Sequence, residues 1–391
     1  MREAVIVAGA RTPVGKAMKG SFANTRPDDL SAVTVKEVLK RANNYDGPID
    51  DIIIGCAMPE AEQGMNMARN IGGLAGLDHD VPGITINRYC SSGLQSIAYA
   101  AERIMLGNAE TIIAGGAESM SLIPMGGHVI KPNLDLVEDA PGYYMSMGHT
   151  AEEVAQRFGI SREDQDAFAA RSHERAEKAL KEGKFDDEIV PVDVVQRKVG
   201  PENKVHETTV TVSKDEGVRP GTTPEVLSKL RPAFTMGGSV TAGNASQMSD
   251  GAASVLVMDR EKAEKEGLTP IVKFRSFTVQ GVEPEIMGVG PVKAIPKAVE
   301  MAGLELSDIG LFELNEAFAS QSLQVIRELG LDENIVNVNG GAIALGHPLG
   351  CTGTKLTVSL MNEMKRRNVK YGVVTMCIGG GMGAAGVFEL L

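Results

Sequence analysis

Tryptophan is absent from this 391-residue chain, and phenylalanine and tyrosine number only ten and six, so the core must be packed from Ile, Val, Leu, Ala and nineteen Met. Cysteine is equally sparse. The four residues, at 56, 90, 351 and 377, make no C-x-x-C or other metal-ligating spacing, which excludes a disulfide framework and argues against a zinc or redox centre. A reducing, cytoplasmic setting is the natural expectation. Positive charge is also in deficit: a formal net charge of -12 speaks against nucleic acid as a partner, because phosphate binding relies on clustered Lys and Arg. The uncharged run 371–388 is long enough to mimic a membrane span, but its six glycines fit strand, turn and strand better, so no span is expected. Residues 1–10 read directly as a strand, without the charged and apolar regions of a signal peptide.

What is abundant is glycine, 45 residues, in a chain of 43% hydrophobic and 23% charged composition. This length exceeds one typical domain and suits an α/β protein with many turns. The two ends read as copies of one another. Asp51-Ile52-Ile53-Ile54-Gly55 precedes Cys90, and Asp308-Ile309-Gly310-Leu311-Phe312 precedes Cys351 at a similar interval. Each cysteine is followed by a stretch of helical apolar spacing, 94–106 and 354–364, and then by a strand ending in paired glycines. Alternating strand and helix implies a βαβ-built, partly parallel sheet in each half. Between the copies, residues 121–245 change character and are too long for a simple crossover, so they should form a subdomain over one face. Within them Ser161 opens a charged helix that Gly183 stops.

Four distant patches carry chemistry. Cys90 lies between a β-like run (Ile84–Ile86) and a helix, where the positive end of the helix dipole should lower its pKa. A small buried hydrophobe is the alternative reading of that thiol. His347 stands in a segment with five glycines among fourteen residues, 340–353, which specifies an irregular loop. Gly379-Gly380-Gly381 follows the strand-like run 373–377, where backbone N–H groups can serve as an oxyanion hole, or else form a tight hairpin turn. Cys351 occupies in the second copy the place of Cys90 in the first, so either could be the nucleophile. It lies only four residues from His347 in one loop, whereas Cys90 would meet His347 across the junction of the two halves. Cys56 reads as core.

The motifs NRYCSSG, VTAGNAS, NEAFA, GGAIALGHPLGCTG and CIGGGMG, in that order over essentially the whole chain, resemble the thiolase family. The resemblance implies an α/β fold with a duplicated βαβ core, stacked mixed sheets and an inserted loop subdomain. Its divisions would be 1–120 plus 246–268, 121–245, and 269–391. It implies Cys90 as the acylated nucleophile, His347 as its base, and Cys377 as the second acid/base. Asn315 would hold a water contributing to one oxyanion hole, and the N–H groups of Cys90 and Gly379 would form the other. Coenzyme A and acyl-CoA would be substrates, with no permanently bound cofactor and no metal. Arg219 and Ser246 fall where the family contacts the coenzyme, although Ser246 is equally readable as a helix N-cap. Arg197, Lys198, Lys204, Lys214, Arg219, Lys229 and Arg231 would supply a local basic patch for the polyanionic coenzyme. A homodimer or homotetramer is implied.

Ser91 after the nucleophile, Ser146 before Met147-Gly148, and the segments 215–220 and 229–234 look like degradative members. Thiolytic cleavage of 3-ketoacyl-CoA in β-oxidation is therefore expected, with condensation of two acetyl-CoA as the alternative. A non-catalytic acyl-CoA-binding protein is a remote third reading, opposed by the presence of Cys90, His347 and Cys377.

Overall fold

The computed structural model describes residues 2–199 and 203–391. Twelve strands are present among them: β1 (Ala4–Arg11), β2 (Gly15–Lys16), β3 (Asp51–Gly55), β4 (Gly83–Ile86), β5 (Thr111–Ser119), β6 (Val192–Val199), β7 (Val205–Val212), β8 (Ser249–Asp259), β9 (Val272–Gly281), β10 (Leu311–Leu314), β11 (Tyr371–Ile378) and β12 (Met382–Leu390). All but β6 and β7 belong to one mixed sheet with the path β10-β11-β12-β9-β1-β8-β5-β3-β4. β3 runs parallel to both β4 and β5, and β10 runs parallel to β11; the remaining ladders along the path are antiparallel.

Stacked sheets are expected from the resemblance, and the structure adds a joint between them. β1 and β9 meet over only two residue pairs, Val5↔Lys273 and Ile6↔Val272. About that short ladder the two half-sheets face each other across a pair of helices, Ser92–Met105 and Thr352–Arg367. The shared core shows this: Leu94, Ile97 and Ile104 of one helix and Leu356, Val358 and Met361 of the other pack with Ile53, Ile112 and Val255 of the first half and Val374, Met376 and Ile378 of the second. Because side chains alternate along a strand, the neighbouring residues point outward. Val5, Val7, Ile52 and Ile54 pack under helices Pro27–Arg41 and Met67–Ala75, while Val373, Ala385 and Val387 pack under Gly290–Met301 and Ala319–Leu329. Five layers result, and strands buried on both faces explain their continuous apolar runs.

The charged helix of the insertion spans Arg162–Lys181, with Ser161 Oγ accepting the Asp164 N–H at 3.1 Å. The inserted segment is anchored by a buried ion pair. Arg11, at the end of β1, forks onto Asp215 at 2.7 and 2.9 Å and donates through Nε to Glu188 at 2.7 Å. Asp215, in a stretch that reads as a polar turn, is buried for this reason. The residues of the basic cluster lie on different segments. Arg197 and Lys198 lie on the β6–β7 hairpin, where Arg197 pairs with Glu207 and the side chain of Lys198 lies outside the described part, whereas Arg219 lies in the loop beyond it.

Candidate active site

The helix Ser92–Met105 forms because Leu94, Ile97, Ala98, Ala101 and Ile104 fall on one face at three- and four-residue spacing. A 3-10 turn, Tyr89–Ser91, joins it to β4 and holds Cys90 at its N-terminal end. The turn is tight enough to put Tyr89 at φ 43°, a left-handed conformation that non-glycine residues adopt rarely. Cys90 is 6% exposed. The backbone N–H groups of Gly379 and of Cys90 itself act to lower its pKa, yet burial outweighs both and pushes the thiol up to about 12. The helix dipole reads as the larger influence in the sequence; desolvation in the folded protein exceeds it, so the resting group is a neutral thiol.

Gly379 follows β11 directly, and Gly380 and Gly381 turn the chain into β12 at φ 80° and 84°. The triple glycine is thus a hairpin turn, and its first N–H contributes to lowering the Cys90 pKa. Cys377, two residues earlier on β11, is fully buried in an apolar cluster with Ala317, Phe318 and Met287. Burial raises its pKa well above the ordinary thiol value, and the nearby Cys90 adds to the rise.

His347 sits in the glycine-rich loop between a short helical turn, Ala342–Leu345, and the helix beginning at Thr352. Its backbone N–H reaches Gln247 O and Ser249 Oγ, both at 3.2 Å. Thr352 Oγ1 donates to Pro348 O at 2.9 Å and so accepts from His347 Nδ1, 2.6 Å away. That assigns the proton to Nδ1 and leaves the Nε2 lone pair facing the Asn315 amide nitrogen at 3.3 Å. Burial, with a contribution from Lys355, depresses the imidazole to about 3, so it is neutral and able to accept a proton. Asn315 is itself buried, and its Oδ1 has no hydrogen-bond partner among the described residues. It is an acceptor available to a water or a reacting group. Leu349, in the turn after His347, packs with Cys90, which brings the two halves together.

Residues 4–261 match the thiolase N-terminal domain and residues 268–390 the thiolase C-terminal domain. The chain belongs to the thiolase family. It is 73% identical over 390 residues, covering 100% of both chains, to the 3-ketoacyl-CoA thiolase of Bacillus subtilis (strain 168). Among solved structures it is similar to the Bacillus anthracis acetyl-CoA acetyltransferase, with 41% identity and a TM-score of 0.90 over 100% of this chain and 99% of that one. It is also similar to the dimeric peroxisomal thiolase of Saccharomyces cerevisiae, with 40% identity and a TM-score of 0.88 over 100% and 98%.

Five of the seven thiolase residues singled out in the sequence, Cys90, His347, Cys377, Asn315 and Gly379, thus share one buried constellation. The other two flank it. Ser246 caps no helix; its N–H donates to Ala317 O at 2.9 Å, beside the Ala245–Phe318 bridge, and the next element is β8. The N-cap reading fails because residues 246–248 continue as loop into a strand. Arg219 borders a groove of about 490 Å³ with Arg171, His173 and Thr223. Its backbone N–H donates to His173 Nδ1 at 3.2 Å, and burial holds that imidazole down at about 4, hence neutral. Gln247 ties the groove's loop to the His347 loop through Gly217 O at 2.9 Å and Ile343 O at 3.0 Å. Thr352, Gln247 and Glu118 escape the sequence reading. Only Glu118 leaves a trace there, as a lone carboxylate in the small-residue strand Thr111–Ser119.

Proposed function

We propose that this thiolase cleaves 3-ketoacyl-CoA by thiolysis, in the manner its Bacillus subtilis relative is named for, and serves fatty acid β-oxidation. The observation that carries this reading is the packing of Cys90 against Leu349, two residues from the neutral His347, with Cys377 close enough to feel the same thiol. His347 Nε2 takes the Sγ proton as Cys90 attacks the 3-keto carbon. The oxyanion so formed accepts the N–H groups of Cys90 and Gly379. The C2–C3 bond then breaks, leaving an acyl thioester on Cys90 and the enolate of acetyl-CoA. His347, now cationic, and a water held at Asn315 stabilise the enolate oxygen, while the Cys377 thiol delivers its proton to C2. Free coenzyme A passes its thiol proton to the Cys377 thiolate and attacks the acyl-Cys90 carbonyl; the C–S bond to Cys90 breaks, the shortened acyl-CoA leaves, and the Cys90 sulfur takes back the proton held by His347. The same groups run in reverse as a Claisen condensation of two acetyl-CoA.

We assign the coenzyme to the groove beside residues 219–224, where Arg219 and Arg171 offer positive charge despite the overall balance of -12, with Ser246 nearer the reacting carbons. Residues 121–245 would then be the segment that covers it. Four free, buried cysteines suit a cytoplasmic enzyme, and no helix among the described residues is long and apolar enough to cross a membrane. We also infer a homodimer. β4 is an unpaired edge of the large sheet, next to the Cys90 turn, with Ile84 48% exposed and Met65 95% exposed nearby. Such an edge is a template for pairing with a second copy.

Steady-state kinetics over a chain-length series of 3-ketoacyl-CoA test the direction. Thiolysis of medium and long chains should exceed that of acetoacetyl-CoA in kcat/KM. Turnover confined to acetoacetyl-CoA would favour the condensing role instead.

A further inference from the structure

Glu118 is sealed inside the protein near the end of β5. Its Oε2 accepts the N–H of Ala57 at 2.7 Å and of Gly350 at 2.8 Å. Its Oε1 accepts from Gln63 Nε2 at 2.7 Å and from the Met58 N–H at 3.3 Å, with the Cys56 thiol 3.9 Å away. All these partners donate, so the pocket is complementary to the ionised carboxylate; a protonated one would point a donor at donors. Burial pushes its pKa upward, and the surrounding N–H groups oppose that rise.

The duplication shows what place this residue fills. β3 runs parallel to β5 with Gly55 opposite Gly116, and β10 runs parallel to β11 with Leu314 opposite Thr375. Counting onward from those pairs, Cys56 stands where the other half has Asn315, and Glu118 stands where it has Cys377. Cys351 corresponds to Cys90, each in a 3-10 turn leading into a central helix. This second constellation has no base, because Ile86 precedes Cys90 by the four residues that separate His347 from Cys351. What it has is a bond between the halves. Gly350 belongs to the turn that follows His347, and a Cβ placed there would lie 2.7 Å from both Glu118 Oε2 and Cys56 Cα.

We propose that Glu118 is a positioning residue for acylation: by gripping the N–H groups of Ala57 and Gly350 on one oxygen, it fixes the His347 turn of one half over Cys90 of the other. The inference rests on the reading of His347 as the base for Cys90. It makes the duplicated, unreactive site the brace of the reactive one.

A double-mutant cycle on the full-length enzyme tests it, with acylation of Cys90 by acetyl-CoA followed by mass spectrometry in single turnover. Glu118→Gln should slow acylation by at least about tenfold while KM for the thioester stays within about twofold. In a His347→Ala background the same change should cost less than about twofold, because no imidazole remains to be positioned. Glu118→Asp, which keeps the charge on a shorter arm, should recover part of the loss. Equal fold losses in both backgrounds would make Glu118 a stability residue and overturn the proposal, as would a loss below twofold in the otherwise unaltered enzyme. If circular dichroism shows Glu118→Gln unfolded, the cycle is run with Glu118→Asp, and the same two outcomes decide. A His347→Ala enzyme acylated at the unaltered rate would instead sink the catalytic reading itself.

Discussion

At the scale of single residues, the proposed nucleophile and its proposed base are governed by burial. Cys90 is raised to about 12 and His347 lowered to about 3, so both are uncharged throughout the physiological range. A neutral Cys–His pair transfers its proton only as the sulfur attacks. Acylation of Cys90 in single turnover should therefore show no titration near 6.5, the ordinary histidine value, and should stay level from about pH 5 to 8. Below about 3 the imidazole would bind a proton and lose its role as acceptor. Replacing His347 by Ala should reduce the acylation rate on the order of a hundredfold to ten-thousandfold, whereas Cys377→Ala should still acylate Cys90 while failing in carbon–carbon cleavage. A rate that falls off around pH 6.5, or two variants equally impaired in both steps, would contradict these assignments. The motifs single these residues out, but not their protonation. A dipole can be inferred from a strand-to-helix junction, whereas desolvation depends on Leu349, Ala57 and Met120, which reach Cys90 from remote parts of the chain.

At the scale of elements, the site depends on two helices that approach almost backbone to backbone. A Cβ at Gly353 would fall 2.2 Å from the backbone nitrogen of Leu94. Thr354 Oγ1 also donates to Gly93 O at 2.9 Å, stitching the Cys90 helix to the helix that follows His347. Gly353→Ala should thus push the helices apart and destabilise the protein by about 1–3 kcal/mol, the usual range for overpacking. Chemical denaturation measures this, and a change within about 0.5 kcal/mol would show that the contact is softer than described. Local elements were readable where periodicity is clean, as in the helix of Leu94, Ile97, Ala101 and Ile104, or where glycines punctuate strands, as at 379–381. Ser246 was ambiguous because one serine before a polar stretch suits a loop and a helix cap alike, and only the Ala317 carbonyl decides between them. The Lys and Arg between 197 and 231 divide between the β6–β7 hairpin and the loops that follow it.

At the scale of the whole molecule, two similar halves meet, and the proposed reactive centre takes Cys90 from one and His347, Asn315, Cys377 and Gly379 from the other. Duplication was visible in the repeated strand–cysteine–helix order. The short β1–β9 joint that folds the half-sheets together was not, since two residue pairs leave no pattern of their own. Nor did the order of motifs separate Cys90 from Cys351 on chemical grounds. In the fold Cys351 is 1% exposed, and burial likewise raises it to about 12 against the opposing charges of Lys355 and Arg11. The Gly379 N–H acts to lower the pKa of Cys90, and no such backbone contribution acts on Cys351 among the described residues. The most direct test of the account is therefore peptide mass mapping after brief incubation with acetyl-CoA. The added acetyl mass should reside on Cys90 alone and vanish in Cys90→Ala; acetylation of Cys351, or acetylation that persists in that variant, would contradict it.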